Sequence, residues 1–242
     1  ISGGSEKQDY YISIGYLFQD GTLNNTGYER YNIQLNHNIN LGEKFKISFR
    51  GSYRPEVRTA PSEVNYSGGP PRGLGNLISR ILRWPANLPY QTSEGDWAAA
   101  MGIEPYQIGI NSKEGGEQIL KRNHFSGNAN LEFFITDDLK VSGMYGVNWG
   151  QNRQRDFSRR MKFYDPDNPE VVQVEAWDNV LRVINSSSQY QKTQLLVNYN
   201  KTIDYHEFSA LAGYTAEWYY QDNESVGRRN FLTDNIYAIS AG

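Results

Sequence analysis

Residues Tyr28 to Tyr53 read YERYNIQLNHNINLGEKFKISFRGSY. In the first half Tyr31, Ile33, Leu35 and Ile39 alternate with Asn32, Gln34, Asn36, Asn38 and Asn40. After a short Asn-Leu-Gly-Glu turn the same code resumes, with Phe45, Ile47, Phe49 and Tyr53 set against Lys46, Ser48, Arg50, Ser52 and Arg54. Successive strand side chains point to opposite faces, so the stretch encodes a sheet with one apolar, ring-bearing face and one strongly polar face. A soluble antiparallel sheet also alternates, but its polar face rarely needs so unbroken a series of Asn, Gln, Lys and Arg, and its apolar face seldom carries so many rings. A transmembrane β-barrel needs both.

The pattern recurs. Phe125, Ala129, Leu131, Phe133 and Ile135 oppose His124, Ser126, Asn128, Asn130 and Glu132, and Leu139, Val141, Tyr145, Val147 and Trp149 oppose Lys140, Ser142 and Asn148. Leu195, Val197 and Tyr199 alternate with Gln194, Asn198 and Asn200. Phe208, Ala210, Ala212, Tyr214, Ala216, Trp218 and Tyr220 then share a face, with Ser209, Thr215, Glu217 and Gln221 on the other. With the less regular segment Ile12 to Phe18, the expectation is seven strands. No run of about twenty apolar residues exists and mean hydropathy is -0.69, which excludes a spanning helix but not spanning strands, whose lipid face is hidden by alternation. Aromatics form 14% of the 242 residues. Tyr10, Tyr11, Trp149, Trp218, Tyr219 and Tyr220 lie near strand ends, where amphipathic rings suit a membrane interface.

Connection lengths point the same way, because outer-membrane barrels keep periplasmic turns short and extracellular loops long. Short turns are expected near 40–44, 136–138 and 203–206, and longer connections near 20–28, 55–121, 151–190 and from 221 onward, alternating without exception. The connection 55–121 has internal order: Leu74, Leu77, Ile78, Ile81 and Leu82 mark one face of a short helix ended by Pro85. Trp84, Tyr90 and Trp97 follow closely, and long ordered loops are where binding residues gather. These rings either build a small satellite core or stack against a ligand.

Other chemistry is thin. The chain has no cysteine, so neither a disulfide framework nor a thiolate site is available. A formal charge of -3 offers no basic field for nucleic acid. His37, His124 and His206 lack ligand spacing, and the Asp165-Pro-Asp-Asn-Pro-Glu170 run reads first as a turn and only second as a hard-cation site. No nucleophile, base and orienting group converge, so no catalytic, metal or cofactor site and no enzyme is expected.

Ser2-Gly3-Gly4 before YYISIGYLFQDGTLNN, then Arg30-Tyr31-Asn32 and the Asn-rich strand, resembles the early barrel of SusC/RagA-type TonB-dependent outer-membrane transporters. The loop NLISRILRWPANLPYQTSEGDW is similar to that family's helix, Pro-rich turn and Gly-Asp tail. Ser209 to Tyr214, followed by Arg228-Arg229-Asn230-Phe231-Leu232-Thr233-Asp234-Asn235, resembles a later family segment. The resemblance implies an all-β, antiparallel transmembrane barrel of twenty-two strands, of which residues 1–242 supply about the third to ninth, with plug and remaining strands elsewhere. It implies an outer-membrane importer of oligosaccharides or peptides that works with a SusD-like surface lipoprotein, outer-membrane lipid, and TonB with its inner-membrane energising complex. On that reading Arg30, Arg50, Arg54 and Lys140 face the lumen, and Trp84, Tyr90, Trp97 and Trp177 are the substrate-contacting rings. Two other readings stand beside it: a soluble or secreted β-sandwich adhesin that binds glycans, and a passive porin.

Overall fold

The structure, a computed structural model, describes residues 1–62, 78, 82, 86–99, 113–176, 178–236 and 238–240. Eight strands pair in one antiparallel sheet: β1 (Ser2–Ser5), β2 (Gln8–Asp20), β3 (Gly27–Leu41), β4 (Phe45–Pro61), β5 (Gly116–Phe134), β6 (Leu139–Ser158), β9 (Val180–Ile203) and β10 (His206–Arg229). Two short strands, β7 (Met161–Tyr164) and β8 (Val172–Ala176), form a separate hairpin between β6 and β9. The all-β antiparallel class stands, with eight strands in place of seven. The missed strand is β1, whose Ser2-Gly3-Gly4-Ser5 carries no alternation to read; it pairs with Gln8–Tyr11 across a Glu6-Lys7 turn.

Register brings the alternating residues of every strand onto common rows. One row runs Ile33, Tyr53, Phe125, Trp149, and another Phe45, Phe133, Val141, Val197, Ala212. Rings touch along the rows, Phe45 stacked on Phe133 at 4.5 Å between centroids and Tyr16 tilted on Tyr31 at 4.7 Å. This face has no second layer over it among the described residues: Ile14 is 74% exposed, Tyr214 64% and Leu195 52%. A sandwich would bury that face in a dry core, so the sandwich reading fails here. From Phe45 to Tyr53 and from Leu139 to Trp149 the apolar span is nine to eleven residues, or eight to ten steps, about 27–34 Å along a strand at ~3.4 Å per residue. Tilted by about 40°, that gives roughly 20–26 Å of height, the apolar band of an outer-membrane barrel.

Short turns all lie on one rim, at Glu6-Lys7, Gly42–Lys44, 135–138 and Asp204-Tyr205, and the long connections on the other. Gly42 and Asp204 turn with φ of 68° and 54°, the left-handed conformation that tight reversals need. On the far rim the strands run well beyond the apolar band. β9 and β10 have 24 residues each, about 80 Å of strand. The connection expected at 55–121 therefore shrinks to 62–115, and that at 151–190 to 159–179 around the β7–β8 hairpin. The physical reason is that above the band the outward side chains meet water. Lys121, Asp222 and Glu224 stand in the outward rows there, so the two-faced code stops while the hydrogen-bond ladder continues.

The buried core sits above the band too. Phe157, Leu181 and Phe231 pack together, with Phe157 edge-on to Phe231 at 6.0 Å, while Met161, Phe163, Ala98 and Ala99 are also buried. Of the expected helix, only Ile78 and Leu82 are described, joined by a Leu82 amide donating to the Ile78 carbonyl at 3.0 Å; the other helix positions lie outside the described residues.

Candidate functional site

Three groups of side chains on or above the polar face carry chemistry. The lowest lies beside the short turns, where Asp9, Asn38, Lys46, Arg50, Asn130 and Glu132 border an open cavity of about 650 Å³. Asn38 Nδ2 donates to Asp9 Oδ2 at 2.8 Å, and Lys140 lies 3.8 Å from Glu132 and over the Phe134 ring. Opposite charges alternate here, so the cavity is polar without a strong sign.

The second group lies on β3, β4 and β5 just above the upper aromatic row. Arg30, Glu56 and Arg122 share one row, Arg54 and His124 the row below, and Tyr28 and Arg58 the row above. Glu56 is nearly buried. It accepts from the Tyr28 hydroxyl at 2.7 Å and from Arg122 Nη1 at 3.3 Å. Burial pushes the Glu56 carboxyl up, but hydrogen bonds from Tyr28 and Arg122 and the charges of Arg122 and Arg54 outweigh it and leave the group below its ordinary value. Alternation continued past Pro55 could have found Glu56 and Arg58, since Arg54, Glu56 and Arg58 keep the period of two.

The third group clamps the long connections. Asp156, fully buried, accepts from Ser62 through Oδ1 and from Gln118 Nε2 through Oδ2 at 3.0 Å, and Ser62 bonds Ser158 at 2.9 Å. Burial pushes the Asp156 carboxyl up, against the two hydrogen bonds and the charge of Arg182. On the same rim the Asn179 amide bridges both backbone polar groups of Phe231, at 2.6 and 3.0 Å, and Asp234 at 2.6 Å. Neither clamp has a sequence signal, because the residues each joins lie 38 to 96 apart in the chain.

Of the expected ring contacts, Tyr90 and Trp97 come together. Their centroids lie 6.5 Å apart at 37°, on a loop closed by the Gln91–Trp97 bridge and by Thr92–Asp96 backbone bonding. Trp97 Nε1 donates to Glu114 Oε2 at 2.5 Å, and Ala98 and Tyr164 bridge this loop to β7. Trp84 and Trp177 lie outside the described residues. Arg30, Arg50, Arg54 and Lys140 all stand on the polar face. Tyr11 and Tyr219, expected at the membrane girdle, fall on the polar face as well, in register with Asn36 and Tyr190. Adjacent tyrosines cannot share a face, so each Tyr-Tyr pair gives one ring to either side. No group of three or more acidic or histidine side chains suited to a metal occurs among the described residues.

Over nearly its whole length the chain is similar to known proteins. TonB-dependent receptor P3 of Formosa agariphila is 23% identical over 240 residues, 98% of this chain and 22% of the relative. TonB-dependent receptor P26 of the same organism is 23% identical over 220 residues, 88% of this chain and 20% of that relative. The whole chain superposes on the RagAB peptide importer in its closed-closed and open-open states, with TM-scores of 0.71 and 0.72 at 22% identity, covering 26% of that chain. The fold is that of a TonB-dependent receptor barrel wall. The SusC/RagA-type resemblance in the sequence is thereby borne out, although no family model matches. This wall segment spans about a fifth of the length of its curated relatives.

Proposed function

We propose that residues 1–242 form barrel wall and outer vestibule of an outer-membrane, TonB-dependent transporter that imports oligosaccharides or peptides. The observation that carries this reading is the predominantly apolar, ring-bearing belt on a sheet whose long connections all leave one rim. Strand edges left open in lipid would strand backbone amides, so β1 and β10 need further strands to pair with, and an even-numbered closed barrel with a plug meets that need. A SusD-like lipoprotein would cover the rim bearing Tyr90 and Trp97, and TonB would act on the plug from the short-turn side. The rings Trp84, Tyr90, Trp97 and Trp177 are assigned to the solute's entry, and Arg30, Arg50, Arg54 and Lys140 to the lumen wall. The chain itself is a conduit, so we assign it no catalytic step.

The test is the location and mass of the intact polypeptide in its native cells, probed with an antibody to the 86–99 loop. A product several times heavier than 27.7 kDa in the outer-membrane fraction, co-purifying with a lipoprotein, is expected. A water-soluble product would refute the reading.

A further inference from the structure

The chain as a whole is acidic, with 27 Asp and Glu against 24 Lys and Arg. The polar face just above the aromatic row has the opposite sign. Arg30, Arg54, Arg58 and Arg122 stand there on three adjacent strands within three neighbouring rows, and Glu56 is the one acid facing them from β3, β4 or β5. Rows on one face are about 7 Å apart along a strand and strands about 4.8 Å apart across, so the four guanidinium groups share a single small surface. Glu56 offsets only one of the four charges: its side chain is 13% exposed and is held by Tyr28 and Arg122, whereas the Arg122 side chain is 51% exposed and Arg54 and Arg58 are open to solvent. The buried Nε of Arg30 makes no hydrogen bond with the protein. Across β2, Leu17 and Gln19 face the same surface, and across β6, Gly150, Asn152 and Gln154; none carries charge. Asp156 and Arg182 stand further up and are engaged with each other's strand, Asp156 being fully buried.

We infer that this arginine surface binds the carboxylate or sulfate groups of an acidic oligosaccharide on its way into the barrel. The inference rests on the transporter reading and narrows its solute. Arginine pairs with planar or tetrahedral oxyanions through a fixed fork of donors, and a ladder of such forks on one wall suits a chain with repeated charges. Two features favour a sugar over an acidic peptide. The remainder of the polar face is rich in Asn, Gln and Ser, which both donate to and accept from hydroxyls. The tilted Tyr90–Trp97 pair at the rim, with Trp97 fixed by Glu114, offers ring faces to the C–H surface of a sugar.

The experiment uses the intact receptor purified from outer membranes in detergent, titrated with a polyuronate oligomer and a sulfated galactan oligomer. Each is compared with its esterified or desulfated neutral form, and an oligoglutamate of equal length serves as the peptide control. The acidic form of at least one sugar is expected to bind about tenfold tighter than its neutral form at low salt. That advantage should shrink as salt screens it. In the R54Q/R58Q double variant the two affinities converge, and R54K/R58K restores part of the gap. Equal affinity for acidic and neutral sugars, or binding of none, overturns the inference, as does tighter binding of oligoglutamate. Outer-membrane location is scored on the same preparation, so a receptor that sits correctly in the membrane yet ignores charge sinks the inference alone. A protein that never enters the membrane sinks the transporter reading.

Discussion

Arginine at Leu195 tests the orientation of the wall more sharply than any other change. Leu195 lies in the apolar rows between Gly143 and Tyr214, and its methyl group covers the bare backbone of Gly143. It stands six residues below Gln189, which shares its row with Trp149, and four above Tyr199. These spacings put it roughly 15 Å and 10 Å inside the two edges of the band for strands tilted about 40°. That is too deep for an arginine to carry its charge to the interface. A charge near the midplane of the lipid face costs about 2–4 kcal/mol, a factor of about 30 to 900 in the folding equilibrium. The control is the neighbouring residue. Gln194 points to the polar face opposite Thr215, so Gln194→Arg should cost close to nothing. Both variants of the intact receptor would be folded into phospholipid vesicles and titrated with guanidinium, following tryptophan fluorescence. Equal losses at 194 and 195, or a larger loss at 194, would refute the assignment of the apolar face to lipid.

The clamps above the membrane give further outcomes. Because the Asp156 carboxyl is held above its ordinary value, the folded state binds the proton more tightly than the unfolded chain does. The clamp is therefore strongest below the ordinary aspartate range and weakens as pH rises through the raised value. Limited proteolysis of the 62–115 connection should accelerate across that window in the native protein, and Asp156→Asn should flatten the pH dependence. Asn179→Ala leaves the buried Phe231 amide unpaired and should cost about 1–3 kcal/mol in chemical denaturation. Gly116 has φ of 112°, and an added Cβ would lie 2.0 Å from the Phe157 carbonyl oxygen. Gly116→Ala should thus cost at least 1–3 kcal/mol, on the scale of a strained backbone, whereas the Gly127→Ala contact falls on the movable Phe125 ring and should cost less by the same assay. Trp97→Ala should lower solute uptake several-fold with the receptor still correctly placed; undiminished uptake would show that the ring only packs.

Inside the apolar band the sequence alone determined which residue faces which way, because lipid on one side and water on the other impose a period of two on every strand. From Ile33 to Tyr53, from Phe125 to Trp149 and from Phe208 to Tyr220 the register observed is the one the alternation demands. The side of each connection followed from its length alone. Where the strands rise into water the constraint disappears, and with it the signal: Lys121 and Glu224 stand in the outward rows as comfortably as Phe125 or Tyr220 do lower down. Glycine erased the signal at β1 for a related reason, since a residue without a side chain belongs to neither face. Only the tertiary structure decided that Arg30, Arg54, Arg58 and Arg122 converge around one glutamate, that Ser62 reaches Asp156, and that Tyr90 meets Trp97. Those meetings depend on strand pairing across 66 and 94 residues of chain and on loop closure, which bring together groups that no local pattern relates.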